Sequence, residues 1–177
     1  MEFFETVVNR HSYRGPFTDK GVDPDDLRKI VQTGLDAPSG MNKQTTSFVI
    51  VNDPDLVSQI AEMHDSNKAF NQAKAFIVCL IDAEPEKIYA GCHFQIEDCS
   101  AAVENMLLAI TATGYAAVWI DGWLRTQGHA ETIGKLIGAP GDKVVRIILP
   151  IGVPEYPVRG PEKKPFDQRA WFNSYGG

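Results

Sequence analysis

The sequence lacks the signature patterns of several large functional classes. It contains no G-x-G-x-x-G loop, no Walker phosphate-binding loop and no G-x-S-x-G nucleophile turn. A nicotinamide cofactor would therefore not be held by a Rossmann fold and would have to visit as a transient substrate. The three cysteines, Cys79, Cys92 and Cys99, cannot complete a disulfide framework and do not have zinc-ligand spacing. We expect reduced thiols and no bound metal.

Long apolar runs and long basic runs are also missing. The longest unbroken apolar run, residues 75–81, is far shorter than a membrane-spanning helix requires, and residues 1–5 lack the basic start of a secretory signal. The formal net charge is -6, so the average field repels nucleic acid and anionic membranes. We expect a cytoplasmic protein with one domain over residues 1–177, because 44% hydrophobic content is enough for a core.

Four segments have the character of β-strands. Residues 75–81 are continuously apolar, which suits a strand buried on both faces. The other predicted strands are residues 47–52, 115–120 and 144–151. Beyond Gly152, four prolines predict an extended, wrapping tail, because each proline removes a backbone donor and restricts the chain.

Helical patterns separate these strands. The longest has apolar residues at spacings of three and four from Ile96 to Ile110, and Gly114 ends it. Its many alanines permit close helix contacts, either in a core or in a dimer interface. Strands separated by helices predict an α+β or α/β fold with helices on both faces of a small sheet. Shorter helices are predicted near residues 3–10, from Asp23-Pro24 to Pro38, after Asp53-Pro54 and over residues 130–137.

Cationic residues concentrate near both ends of the chain. Those near the start are Arg10, His11 and Arg14, and those near the end are Arg159, Lys163, Lys164 and Arg169. Folding that brings the two segments together would place several positive charges around one anion. This arrangement is the first indication of a binding site.

Three separated segments resemble those of the nitroreductase family of FMN-dependent enzymes. They are residues 10–14 (RHSYR), 37–44 (APSGMNKQ) and 114–122 (GYAAVWIDG), with a weaker match in the tail at 152–154 and 163–167. The order and spacing of these segments carry the resemblance, which runs over nearly the whole chain. It implies an α+β, nitroreductase-like FMN-binding fold in which helices flank a small central β-sheet. It also implies a homodimer whose two chains together build each flavin pocket, with the long helix forming much of the interface.

The resemblance implies that the first segment binds FMN. A doubly charged phosphate favours planar guanidinium groups, so Arg10 is the main phosphate ligand, with the Ser12 hydroxyl beside it. Arg14 would stabilise the negative charge that reduction places on the N1 and O2 edge of the flavin. His11 lies in the same segment, whose family counterparts bind the phosphate, the ribityl chain and the pyrimidine edge. The alternative is that these arginines form a solvated face or a helix cap.

Two further segments are expected to shape the flavin site through their backbone. Pro38, Ser39, Gly40 and Asn42 resemble the loop that the neighbouring subunit lends to the flavin site, although an ordinary helix-terminating turn uses the same residue types. Asp121 and Gly122 would present backbone N–H groups to flavin N5 and O4. A simple turn at a strand end is the alternative for this pair.

The remaining candidate ligands come from two regions where the match is looser. Asn67 and Asn71 are candidates for the pyrimidine edge. In the tail, Lys163 fits the second of two phosphate-binding positions that the family commonly fills with cations. Pro161 falls on the first position, so Arg159 or Lys164 is expected to substitute.

The reaction implied by the resemblance needs no catalytic side chain. NADH or NADPH would deliver hydride to flavin N5 and leave, and a nitroaromatic compound, a quinone or a similar acceptor would then take the electrons, in a ping-pong sequence. Two alternatives keep the flavin: dehalogenation or flavin fragmentation, and a non-catalytic flavin carrier or phosphate-ligand sensor. The sequence leaves open the acceptor, the choice of nicotinamide and the reactivity with oxygen. Four aromatic residues could stack on a planar acceptor or belong to the core: Phe70, Tyr115, Trp119 and Trp123.

Overall fold

A computed structural model of the chain describes residues 2–176. Its α-helices are α1 (Phe3–Asn9), α2 (Pro24–Leu35), α3 (Pro54–Ala61), α4 (Lys68–Asn71), α5 (Gln95–Ala112) and α6 (His129–Leu136). Its strands are β1 (Ser47–Val51), β2 (Ala75–Asp82), β3 (Ala116–Ala117) and β4 (Lys143–Gly152). Short 3-10 turns cover Gly40–Asn42, Trp123–Arg125 and Phe166–Gln168. No helix in this described part of the chain is long and apolar enough to cross a membrane.

The strands form one antiparallel sheet in the order β1-β2-β4-β3. Helices cover both of its faces, so the molecule has one apolar core on each side of the sheet. One core joins the sheet to α2 and α5, and the other joins it to α3, α4 and α6. Successive residues of β2 alternate between the two cores, as expected for a strand buried on both faces. The α+β fold predicted from the sequence is confirmed.

Side-chain caps start helices α2 and α3 at the predicted aspartates. The Asp23 carboxylate accepts from Asp25 N at 2.8 Å at the start of α2, and the Asp53 carboxylate accepts from Leu56 N at 3.0 Å at the start of α3. Helix α5 begins at Gln95, one residue before the predicted start. Helix α4 was not predicted, because its four residues are too few to show a periodic pattern.

The third strand is shorter than the predicted segment 115–120. Ala117 pairs with Ile151, and Ile120 forms an isolated bridge with Ile148, so the register places Val118 opposite Pro150. Pro150 has no backbone N–H to donate, and the ladder is interrupted at that point. The sequence prediction was therefore correct in position and wrong in the extent of the strand.

Strand β4 contains a β-bulge at Arg146. Cys79 of β2 pairs with Ile147 and the next residue, Leu80, pairs with Val145, so Arg146 has no partner on β2. Because of this extra residue, Val145 and Ile147 pack into opposite cores. A bulge redirects the side chain that it carries, and the Arg146 side chain is directed to Asp121.

Candidate functional site

The first cationic segment follows α1 directly. The backbone N–H of Arg10 caps this helix by donating to Thr6 O, which is the role that the alternative interpretation assigned to it. The Arg10 side chain is mostly buried, and its Nε lies 3.3 Å from a carboxylate oxygen of Glu104 on α5. The backbone of Arg10 therefore caps the helix, while its side chain forms an ion pair. Of the other candidates, His11 and Ser12 are half-buried and Arg14 is exposed.

The chain ends meet along the edge of the sheet. Tyr13 N donates to Ala117 O at 2.9 Å, and Thr18 N donates to Val153 O at 2.9 Å. A Cβ added to Gly160 would lie only 2.0 Å from His11 Nδ1, so the tail backbone lies directly against the His11 ring. Glycine is required at this close approach. The charge distribution predicted this meeting of the two segments.

The tail beyond this contact is open to solvent. Residues 159–169 are exposed, and they include all the tail cations named as phosphate ligands. Residues 157–165 have no regular secondary structure, and the Phe166–Gln168 turn follows them. Lys163 and its neighbours are therefore accessible to an anion, and Arg159 adjoins the Gly160 contact.

The Ser39–Asn42 loop and the residues after it adopt unusual backbone angles. Met41, Asn42 and Gln44 have positive φ angles of 51°, 55° and 52°, which non-glycine residues rarely adopt. The buried carboxylate of Asp98 holds the loop, because it accepts from Gly40 N at 2.8 Å and from Thr45 Oγ1 at 3.0 Å. This anchoring favours a functional loop over a passive helix end.

A cavity of about 370 Å³ lies beside this loop, and Ser39, Thr46 and Asp98 are among its lining residues. The Thr46 hydroxyl is buried without a hydrogen-bond partner within residues 2–176, which is uncommon for a buried polar atom. On the other side of the loop, a Cβ at Gly40 would lie 2.6 Å from the Phe94 ring. Only glycine allows the loop backbone to approach this ring so closely.

Asp121 and Gly122 lie between the end of the third strand segment and the Trp123–Arg125 turn. The Asp121 carboxylate accepts from Arg125 Nε and Nη2, both at 2.7 Å, and from Arg146 Nη1 at 2.8 Å. Gly122 is exposed, and no atom outside its immediate neighbours would contact a Cβ placed there. A flat ligand could therefore approach the backbone at this position.

Trp123 forms an aromatic cluster rather than a free stacking surface. Its ring stacks with those of His64 at 4.9 Å and His129 at 3.9 Å, and its carbonyl oxygen lies 2.9 Å from His129 Nδ1. Burial and the nearby His129 lower the pKa of His64, while Asp65 opposes that shift. Phe70 is fully buried in the same cluster. Of the two alternatives, core packing therefore describes Phe70 and Trp123 better than acceptor stacking.

The two asparagine candidates have separate surroundings. Asn67 caps α4, since its side-chain oxygen accepts from Phe70 N at 3.3 Å. Asn71 lines a different groove of about 710 Å³ together with Gly21 and Lys74. The structure therefore gives Asn67 a structural contact and does not place the two side chains in one pocket.

The residues present fit an anionic, planar cofactor such as FMN. Arginine and lysine side chains from both chain ends supply donors for a phosphate. The open backbone at Gly122 allows the close approach of a ring. No group of three or more potential metal ligands occurs among residues 2–176, and all three cysteines are free thiols.

Sequence reasoning missed three charged residues of this region: Asp98, Glu104 and Arg146. Asp98 occupies a position four residues before Ala102 on the apolar stripe of α5, and a carboxylate in such a stripe is a signal of a buried polar contact. Glu104 and Arg146 gave no signal, because their partners are distant in sequence. The bulge that redirects Arg146 is a property of strand pairing, which the sequence pattern did not contain.

Comparison with known proteins identifies similar sequences. The family model described as the nitroreductase family matches residues 7–92 and 66–153. A proposed NADH dehydrogenase/NAD(P)H nitroreductase of Archaeoglobus fulgidus is 28% identical over 155 residues, which cover 87% of this chain and 86% of the relative. An NADPH-flavin oxidoreductase of Vibrio harveyi is 25% identical over 173 residues, covering 91% of this chain and 68% of the relative.

A solved structure shows the same architecture. It is a proposed NADH dehydrogenase/NAD(P)H nitroreductase from Bacteroides thetaiotaomicron, and it matches this chain with a TM-score of 0.80 at 26% identity. The match covers 97% of each chain. The likeness therefore extends over the sheet, the helices and the tail together.

Proposed function

This chain belongs to the nitroreductase family, and on that premise we propose that it is an FMN-dependent oxidoreductase. It takes electrons from NADH or NADPH and passes them to a small acceptor such as a nitroaromatic compound or a quinone. The nicotinamide leaves before the acceptor binds. The names of two relatives support this proposal, since one is an NADPH-flavin oxidoreductase and the other a proposed NAD(P)H nitroreductase.

The observation that carries the proposal is the meeting of the two cationic chain ends. The His11 ring lies against the Gly160 backbone, which places Arg159 next to the segment that contains Arg10 and Arg14. Like charges repel each other, so such a cluster is most stable when an anion lies between its members. The phosphate of FMN has the charge and the oxygen acceptors that these side chains require.

Each part of the chain has an assigned task. Arg10, Ser12 and Lys163 bind the phosphate, Arg14 faces the pyrimidine edge, and the Gly122 backbone approaches the ring. FMN supplies the redox chemistry, because its N5 atom accepts hydride and its ring system stores the electron pair. The protein contributes orientation and positive charge, which favour the reduced, anionic ring.

The protein acts as a homodimer in this proposal. The loop at Ser39 and Asn42 then completes the site of the neighbouring copy. Exposed apolar side chains support an interface where they adjoin one another, as on α1, because contiguous apolar patches on a surface mark protein–protein contacts. Such residues occur on α1, near the loop and in the tail: Phe3, Phe4, Val7, Val8, Leu35, Met41, Ile96, Phe166, Phe172 and Tyr175.

The proposal is tested by the colour and the reduction of the purified protein. We expect a yellow protein that releases FMN on denaturation. Anaerobic rapid mixing with NADH or NADPH should bleach the visible absorbance of the oxidised flavin. A second mixing with a nitroaromatic compound or a quinone should restore the absorbance.

Matched acceptors distinguish the proposal from its alternatives. Faster reoxidation by a halogenated phenol than by a nitroaromatic compound or a quinone would assign dehalogenation instead. A bound flavin that neither nicotinamide reduces would show a carrier. A colourless protein that does not take up added FMN would contradict the cofactor assignment itself.

A further inference from the structure

The bulge in β4 places an arginine beside the proposed ring site. Arg146 has no pairing partner on β2, and its side chain is only 15% exposed although it carries a full charge. Burying a charge is unfavourable unless it is paired. The partner is the Asp121 carboxylate, 2.8 Å from Arg146 Nη1. The irregular strand therefore directs a mostly buried cation to the residue that precedes Gly122.

The Asp121 carboxylate links three parts of the chain. Through Arg146 it is attached to the bulge in β4, and through Arg125 to the 3-10 turn that follows Gly122. The Arg125 pair has fork geometry but is more exposed, at 56%, so solvent weakens it more than the Arg146 pair. The Asp121 carboxylate thus attaches the segment that contains Gly122 both to β4 and to the turn that follows it.

These three charges do not cancel. Two arginines and one carboxylate leave one net positive charge in a partly buried position next to the open Gly122 backbone. A fixed positive charge favours the reduced form of a nearby flavin, because reduction adds negative charge to the ring. The interaction extends over several ångströms when it is only partly screened by water.

We propose that Arg146 and Asp121 are positioning residues for the flavin ring, and that the net charge of the Arg146–Asp121–Arg125 cluster raises the reduction potential of the bound cofactor. This inference rests on the proposed function. Arg146 acts through Asp121, which orients the backbone at Gly122. The cluster contributes no group to the reaction itself.

Two substitutions change the cluster charge in opposite directions. Arg146→Met removes a positive charge and should lower the midpoint potential of the bound flavin. Asp121→Asn removes a negative charge and should raise it. Each change should shift the equilibrium constant for flavin reduction by roughly three- to tenfold, as expected for one partly screened charge several ångströms away. Dye-linked anaerobic titration of the flavin-loaded dimer measures both potentials.

Control variants separate charge from folding. Lys143→Met removes another ion-paired cation from the same strand, away from Asp121, and should leave the potential unchanged. Arg146→Lys keeps the positive charge beside Asp121, to which Arg146 donates a single hydrogen bond, and should retain most of the potential. It also provides a folded protein if Arg146→Met is unstable. Hydrogen exchange of residues 121–125 in the flavin-free protein should be faster in Arg146→Met than in Lys143→Met.

The outcomes distinguish this inference from the proposed function. A wild-type protein that binds no flavin overturns both. A flavin-loaded wild type whose potential moves in the same direction in both variants, or in neither, overturns the charge effect alone. Unchanged hydrogen exchange in Arg146→Met overturns the positioning role.

Discussion

Arg10 contacts Glu104 in this structure, and in the proposed complex it also binds the FMN phosphate. Its guanidinium lies 3.3 Å from Glu104, which neutralises part of the charge that a phosphate would need. A guanidinium has donors on several edges, so it can contact a carboxylate and a phosphate together. Glu104 then orients Arg10 but also repels the anion.

Substitution of Arg10 and substitution of Glu104 should therefore change the affinity for FMN in opposite directions. Arg10→Ala removes a charge-assisted contact of about 1.5–3 kcal/mol, so FMN should bind roughly 10- to 150-fold more weakly. Glu104→Gln removes the repulsion and should tighten binding by up to about fivefold, the range of a partly exposed ion pair. Fluorescence titration of the flavin-free protein with FMN measures both dissociation constants.

Glu97 provides the matched control, because it is exposed on the same helix and has no ion pair with Arg10. Glu97→Gln should leave FMN affinity unchanged. If Arg10→Ala binds FMN as tightly as the wild type, another cation holds the phosphate and the assignment of Arg10 is wrong.

At the scale of secondary-structure elements, α5 organises the site. Asp98 in its first turn holds the Ser39–Asn42 loop, and Glu104 farther along contacts Arg10. Helix α5 also packs closely on α2, where a Cβ at Gly34 would lie 3.0 Å from the Met106 side chain. One long helix therefore fixes the loop and the first cationic segment relative to each other.

Asp98→Ala should release the loop. Its carboxylate accepts from Gly40 N and Thr45 Oγ1, and the loss of these bonds would leave two partly buried donors unpaired. The free energy of unfolding should fall by about 1–3 kcal/mol, and FMN affinity should fall with it, as measured by urea denaturation and FMN titration. Glu97→Ala removes a neighbouring carboxylate of the same helical turn without these bonds. An equal loss of stability in both variants would show that Asp98 acts only on the helix terminus.

Most of the helices could be predicted from the sequence, whereas the irregularities of the strands depend on how the strands pair in the sheet. Capping residues and apolar periodicity predicted α2, α3 and α5 because these signals are local. The interruption opposite Pro150 and the bulge at Arg146 depend on which residues face each other across the sheet. No local pattern contains that information. The same reason explains why Arg10 and Gly122 could be named from motifs whereas Glu104 and Arg146 could not.

At the scale of the whole molecule, each chain of the proposed homodimer carries two incomplete half-sites. In the proposed function, the cationic chain ends would form one half and the Ser39–Asn42 loop would form the other. If each site combines halves from two copies, variants in different halves complement each other in a mixed dimer. If each site lies within one chain, they do not.

The most direct test is therefore the FMN content of a hybrid dimer, purified with two different affinity tags. One chain carries Arg10→Ala with Arg14→Ala, and the other carries Ser39→Ala with Asn42→Ala. We expect little flavin in either homodimer and one FMN per hybrid dimer, since one site receives both intact halves. A hybrid as empty as the parent homodimers, beside a wild-type dimer that is fully loaded, would contradict the shared site.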